Sequence, residues 1–127
     1  MTSLPKLFLT TGAIAVLIGM GWGILMAATQ DHTLAPAHAH LNLVGFVLMS
    51  IYALYYALTP GAAQTGLARL HYGLALLGVV LMVPGIVMTL QGQSDLLAKS
   101  GSVVTLAAML VFLAQILRHG VGARSAA

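Results

Sequence analysis

Residues 38–58 read HAHLNLVGFVLMSIYALYYAL, and this stretch decides the fold class of the chain. A helix needs about 20 mostly apolar residues to cross the hydrocarbon core of a bilayer, and this stretch has that length without any Asp, Glu, Lys or Arg. Three other segments have the same character. The four predicted spans are residues 7–28, 38–58, 70–90 and 101–117. The sequence therefore predicts an all-α membrane protein.

The composition of the whole chain excludes an ordinary soluble fold. Of its 127 residues, 60% are hydrophobic and 6% are charged, and its mean hydropathy is +1.00. About one quarter of a soluble domain is charged. The net charge of +3 comes from residues at the ends of the spans, so we interpret it as a topology signal and predict no nucleic-acid partner. The absence of Cys excludes disulfides, thiolate metal sites and a Cys nucleophile.

The connections between the predicted spans are short, which makes successive helices antiparallel neighbours in a single four-helix domain over residues 1–127. With the N-terminus inside, the cytoplasmic side carries Lys6, Arg69, Arg118 and Arg124, and the outer side carries Lys99. This excess of cations on one side predicts that both termini are cytoplasmic. The tyrosines then fall near the inner interface, as an aromatic belt would.

The segment DHTLAPAHAHLNLVGF, residues 31–46, holds three of the five histidines and one of the two acidic residues. Pro36 suits the first turn of a helix, which places His38 and His40 near its outer end. Successive residues of a helix are about 100° apart, so these two imidazoles face nearly opposite sides. They cannot chelate one ion, and the i, i+4 spacing that can is absent. As ligands they would serve two sites or two neighbouring helices.

Ionisable residues within a membrane span usually mark function. His38 and His40 are therefore candidate ligands of a metal or cofactor, His32 is a further candidate, and Asp31 is a candidate hydrogen-bond acceptor for a ligand imidazole. The alternative is that these histidines only hydrogen-bond to loop carbonyls and water at the interface. His71 is expected to anchor the inner end of its helix at the interface.

HAHLNLVGF at the outer end of a helix resembles the haem-ligating stretch of the catalytic subunit, subunit I, of heme-copper oxidases and their nitric oxide reductase relatives. In that family a His-x-His pair on the tenth of twelve helices reaches two haems, one His to each. This chain is similar to one of the three four-helix groups in that subunit, and small four-span proteins of this kind occur in bacteria. The copper ligands and the proton-channel acids of the family have no counterpart here.

The resemblance implies a homo-oligomer in the bacterial inner membrane, with a homotrimer rebuilding twelve spans from one gene. It implies haem b between subunits, ligated by His40. A second ligand would be His38 of the same or a neighbouring chain. A lone four-helix unit could instead bind haem in its own core, and the second ligand would then be His32 or come from a partner chain.

Three functions remain open from the sequence. The first is a haem-binding membrane protein that transfers electrons, with a redox partner, or binds a diatomic gas. The second is a copper- or other metal-handling membrane protein that uses the same histidines, with Met26 and Met88 near the same face. The third is a structural or assembly subunit of a respiratory complex. No nucleophile or general acid–base pair is evident, so whether the chain is part of an oxidoreductase stays open.

Overall fold

The structure is a computed structural model, and it describes residues 3–123. Its four long helices are α1 (Leu4–Thr29), α2 (Ala35–Leu58), α3 (Gly66–Leu90) and α4 (Leu96–His119). A single helical turn, Pro60–Ala63, joins α2 to α3, and no strand occurs within residues 3–123. All four long helices have the length and composition to cross a membrane. The predicted all-α class is confirmed, and so is the predicted number of helices able to span a membrane.

The helices begin where side chains can accept their first backbone N–H groups. The Ser3 hydroxyl accepts from the Lys6 N–H at the start of α1, and the Thr65 hydroxyl accepts from the Ala68 N–H at the start of α3. Such caps satisfy donors that have no partner within the helix. Each helix extends beyond its predicted apolar segment, because hydropathy marks the membrane core and not the polar turns that continue the helix.

One segment of α2 departs from regular α geometry. Leu41–Val47 is π-helical, so its backbone hydrogen bonds close a wider turn, and the Leu48 N–H donates to the Leu43 carbonyl. Gly45 lies in this wide turn against α1, where an added Cβ would come within 2.9 Å of the Ala15 Cβ. Such π segments are rare and occur often at functional sites, and this one begins directly after His40.

Small residues bring α3 and α4 into backbone contact. A Cβ at Gly101 would lie 2.5 Å from the Met82 backbone nitrogen, and a Cβ at Gly85 would overlap the backbone of Ala98. Helices in a bilayer associate through close packing of this kind, because the lipid tails give no hydrophobic drive for helices to pair. The close spacing of α3 and α4 therefore depends on Gly85 and Gly101.

All four helices contribute to a group of rings that we call the aromatic cluster. It consists of Phe8, Tyr52, Tyr56, His71 and Phe112. The ring centroids of Phe8 and Tyr56 are 5.5 Å apart, and those of Tyr52 and His71 are 4.3 Å apart. The start of α1 thus lies beside the end of α2.

The structure corrects two expectations about this region. Tyr52, Tyr55 and Tyr56 do not form an interfacial belt, because all three are buried. His71 is not an interfacial anchor, since its exposed fraction is 0%. A tyrosine ring buries a large apolar area, and a buried tyrosine hydroxyl usually has a hydrogen-bond partner. The Tyr56 hydroxyl has that partner in His71 Nδ1, at 2.9 Å.

Candidate functional site

The His38 side chain lies against α1. Its Nε2 is 2.9 Å from the Gly19 carbonyl oxygen, and its ring meets the Trp22 ring edge to face, with centroids 6.0 Å apart. Gly19 and Gly23 make this approach possible. An added Cβ at Gly23 would lie 3.2 Å from His38 Nε2, and one at Gly19 would overlap the Asn42 side chain. Gly19 and Gly23 of α1 therefore pack against α2 of the same chain.

The contacts of His38 determine which of its ring nitrogens is engaged. A carbonyl only accepts, so the Gly19 contact requires the proton on Nε2, and the lone pair of the neutral ring is then on Nδ1. Asn42 Nδ2 lies 3.3 Å from the same Nε2. His38 Nε2 therefore donates to α1 and is not available as a metal ligand.

His40 has the opposite arrangement. Its Nδ1 lies 2.7 Å from the Pro36 carbonyl oxygen, one turn earlier in α2. Because that carbonyl only accepts, Nδ1 donates, and the lone pair of the neutral ring is on Nε2. Nε2 makes no hydrogen bond to any residue in the described range. A backbone carbonyl on one ring nitrogen is the usual way in which a protein orients a histidine whose other nitrogen binds a metal.

His32 and Asp31 lie in the loop between α1 and α2, and both are exposed. The Asp31 carboxylate accepts from the Thr33 hydroxyl at 2.6 Å and from the Thr33 N–H at 3.0 Å. These hydrogen bonds hold the pKa of Asp31 below its usual value. Asp31 makes no hydrogen bond to His38 or His40, so the structure does not bring it to either imidazole as the sequence had suggested.

The structure does not join the candidate ligands into one site. Within residues 3–123 no three His, Cys, Asp or Glu side chains lie close enough together to hold a metal ion. A cavity of about 210 Å³ lies between the end of α1 and the loop that follows it, lined by Trp22, Met26 and Asp31 among others and by no histidine. Small-molecule sites are usually about 300–1,000 Å³. This cavity is therefore too small for a haem.

The exposed side of α2, next to His40, is open to a larger ligand. His40 is half-buried, and the neighbouring residues Ala39, Leu43 and Val47 are exposed. Their side chains offer an apolar surface next to a ring nitrogen with an unused lone pair. Of the three candidate histidines, His40 has the donor atom and the surroundings that a large apolar cofactor requires.

Sequence reasoning missed a second polar group, buried at the far end of the helices beside the aromatic cluster. Gln115 is fully buried, and its Nε2 lies 3.0 Å from Thr65 Oγ1 and 3.4 Å from the Tyr56 hydroxyl. His71 Nε2 and Gln115 Oε1 have no hydrogen-bond partner among the described residues. A lone amide inside the apolar segment 101–117 was the available signal, because polar side chains within a span usually face the protein interior.

The fold and the histidines define a four-helix membrane protein with one imidazole bonded inside the bundle and one directed away from it. No family model, curated protein or solved structure matches this chain. The oxidase-family membership suggested by residues 38–46 stays a prediction.

Proposed function

We propose that this chain is a haem-binding multi-pass membrane protein in which His40 is an axial ligand of haem b. The observation that carries the proposal is the 2.7 Å contact between His40 Nδ1 and the Pro36 carbonyl. It fixes the tautomer whose Nε2 is free to bind iron, and it holds the ring in one orientation. A haem held in this way supplies one-electron chemistry or a site for a diatomic gas.

The haem would lie between copies of the chain. His40 lies beside the exposed residues Ala39 and Leu43, and it belongs to no group of three or more possible metal ligands among residues 3–123. The second ligand would come from His38 or His32 of a neighbouring copy. Closed cyclic symmetry is the normal outcome for homo-oligomers, and the resemblance to a twelve-helix subunit favours a trimer in a bacterial inner membrane. The redox partner would dock on that assembly.

We propose an antiparallel bundle with both termini cytoplasmic. Two contacts support the arrangement: Phe8 near the start of α1 packs on Tyr56 near the end of α2, and Trp22 near the end of α1 packs on His38 near the start of α2. The histidines then lie towards the outer face. His38 would act there chiefly as a positioning residue that ties α2 to α1.

An absorption spectrum of the detergent-purified protein, oxidised and then reduced, tests the proposal. The protein, produced in cells with sufficient haem, is expected to show a Soret band. His40→Ala should reduce the Soret absorbance per protein to background, while His119→Ala, at the other end of the molecule, should leave it unchanged. A colourless wild-type protein, or a Soret band that persists in His40→Ala, would exclude His40 as the haem ligand.

One observation favours a second candidate, the structural or assembly subunit. His38 Nε2 donates to the Gly19 carbonyl, as expected for a histidine that stabilises the packing of α2 on α1. In that case the protein is colourless, His38→Ala lowers stability, His40→Ala has no effect, and a larger complex co-purifies. Copper handling is the remaining alternative, and metal analysis of colourless protein separates it from both.

A further inference from the structure

A groove opens at the end of the molecule that holds the aromatic cluster. Its volume is about 800 Å³. It lies between the start of α1, the end of α2 and the start of α3, and its lining includes Leu4, Leu7, Tyr56, Ala57, Arg69 and Tyr72. Arg69 is one turn nearer the end of the molecule than Tyr72, so the groove has a charged mouth and an apolar interior.

The tyrosine hydroxyls on the groove wall are already engaged. Tyr56 bonds to His71. The Tyr72 hydroxyl lies 2.7 Å from Thr11 Oγ1, and because Thr11 donates to the Leu7 carbonyl, Tyr72 is the donor in that pair. Besides the Ser3 hydroxyl and the Gln64 amide, the groove presents ring faces and alkyl groups to an occupant, and the guanidinium of Arg69 is its one charged group.

The distribution of charge at this end determines the kind of occupant. Lys6, Arg69 and Arg118 all lie here, whereas the two acidic side chains of the sequence, Asp31 and Asp95, lie in the loops that follow α1 and α3. Asp95 forms an ion pair with Lys99 at 2.9 Å. Arg69 is exposed and forms no ion pair with any described residue. Its planar fork matches the oxygens of a phosphate.

We infer that this groove is a binding site for one anionic phospholipid of the surrounding leaflet. The lipid phosphate pairs with Arg69 at the mouth, and an acyl chain lies along Leu7 and Ala57. The site does not depend on haem, and it would attach this end of the bundle to an anionic membrane surface.

Native mass spectrometry of the full chain, released from micelles containing equal amounts of phosphatidylglycerol and phosphatidylcholine, tests the inference. The wild-type protein should retain one phosphatidylglycerol in preference to phosphatidylcholine. Arg69→Gln should lower that preference about tenfold, as expected for the loss of a charge-assisted hydrogen bond. Lys6→Gln removes a nearby cation outside the groove lining and should retain the preference.

A second variant tests the apolar part of the site. Ala57→Trp fills the groove without changing charge, and it should reduce retention of both lipids, with helix content by circular dichroism as the folding control. An unchanged preference in Arg69→Gln would overturn the inference, as would equal losses in Arg69→Gln and Lys6→Gln. Displacement of the lipid by millimolar inorganic phosphate would also overturn it, because the site would then select the anion alone.

Discussion

His38 and His40 are two residues apart, yet opposite ring nitrogens are engaged. His38 uses Nε2 on the Gly19 carbonyl, whereas His40 uses Nδ1 on the Pro36 carbonyl. The difference follows from the helix: about 200° separates i from i+2, so one ring bonds to α1 while the other bonds to the preceding turn of its own helix. A His-x-His pair on a helix therefore cannot direct both rings at one partner.

The Tyr56–His71 pair gives a prediction at the same scale. Tyr56→Phe keeps the ring in the aromatic cluster but leaves His71 Nδ1 buried without its partner. A buried polar group left unsatisfied costs about 1–3 kcal/mol, and hydrogen bonds in membrane proteins tend to the lower values. We expect the free energy of unfolding to fall by about 1–2 kcal/mol, measured by dodecyl sulfate titration with circular dichroism.

The matched control is Tyr72→Phe, which removes a half-buried hydroxyl bonded to Thr11 and should have a smaller effect. In the double variant Tyr56→Phe/His71→Phe neither polar partner remains, so its loss of stability should be less than the sum of the two single losses. Strict additivity would show that the two side chains are not coupled.

The sequence predicted that His38 and His40 point in different directions, but it did not predict that His71 is buried. The spacing of His38 and His40 predicted opposite faces, because it depends only on the helical repeat. The burial of His71 was not predictable in the same way. Its position near the end of an apolar segment suggested an interface. The ring is buried because the other four rings of the aromatic cluster pack around it.

The four long helices have comparable hydropathy, but different contacts hold them in place. α1 meets α2 through Gly12, Gly19 and Gly23, while α3 meets α4 through Gly78, Gly85 and Gly101. The sequence predicted the spans well, since a bilayer requires about 20 apolar residues whatever their order. It gave no sign of the π segment Leu41–Val47, because composition is the same for α and π turns.

Gly101→Ala tests the α3–α4 contact. The added Cβ would lie 2.5 Å from the Met82 backbone nitrogen, and backbone cannot move aside as a flexible side chain can. The two helices must separate, and we expect a loss of about 2–3 kcal/mol in the free energy of unfolding, measured by the same titration.

Gly73 provides the control for this substitution on the same pair of helices. It is exposed in α3, and a Cβ there meets no atom within 4 Å. Gly73→Ala should change stability by no more than about 0.5 kcal/mol. Equal effects of the two substitutions would mean that helix propensity, and not the close approach of α3 to α4, determines the result.

For the molecule as a whole, charge is divided between the two ends. Lys6, Arg69 and Arg118 lie at the end that holds the groove, whereas Asp31, Asp95 and Lys99 lie at the other end. The positive-inside rule orients membrane proteins by Lys and Arg in short loops and hardly at all by acidic residues. That rule predicts that the groove end is cytoplasmic and that the His-Ala-His end lies near the outer surface.

The absence of cysteine from the sequence makes this orientation directly measurable. Gln93→Cys places one thiol in the exposed loop after α3, and Gln64→Cys places one in the exposed loop after α2. In intact spheroplasts, a membrane-impermeant maleimide should label Gln93→Cys, and it should label Gln64→Cys only after the membrane is permeabilised. The reverse pattern would place His40 on the cytoplasmic side, and any haem there would exchange electrons with partners in the cytoplasm. Labelling of both sites in intact spheroplasts would indicate that the five basic residues are too few to fix one orientation, and the inferred lipid site would then face either leaflet.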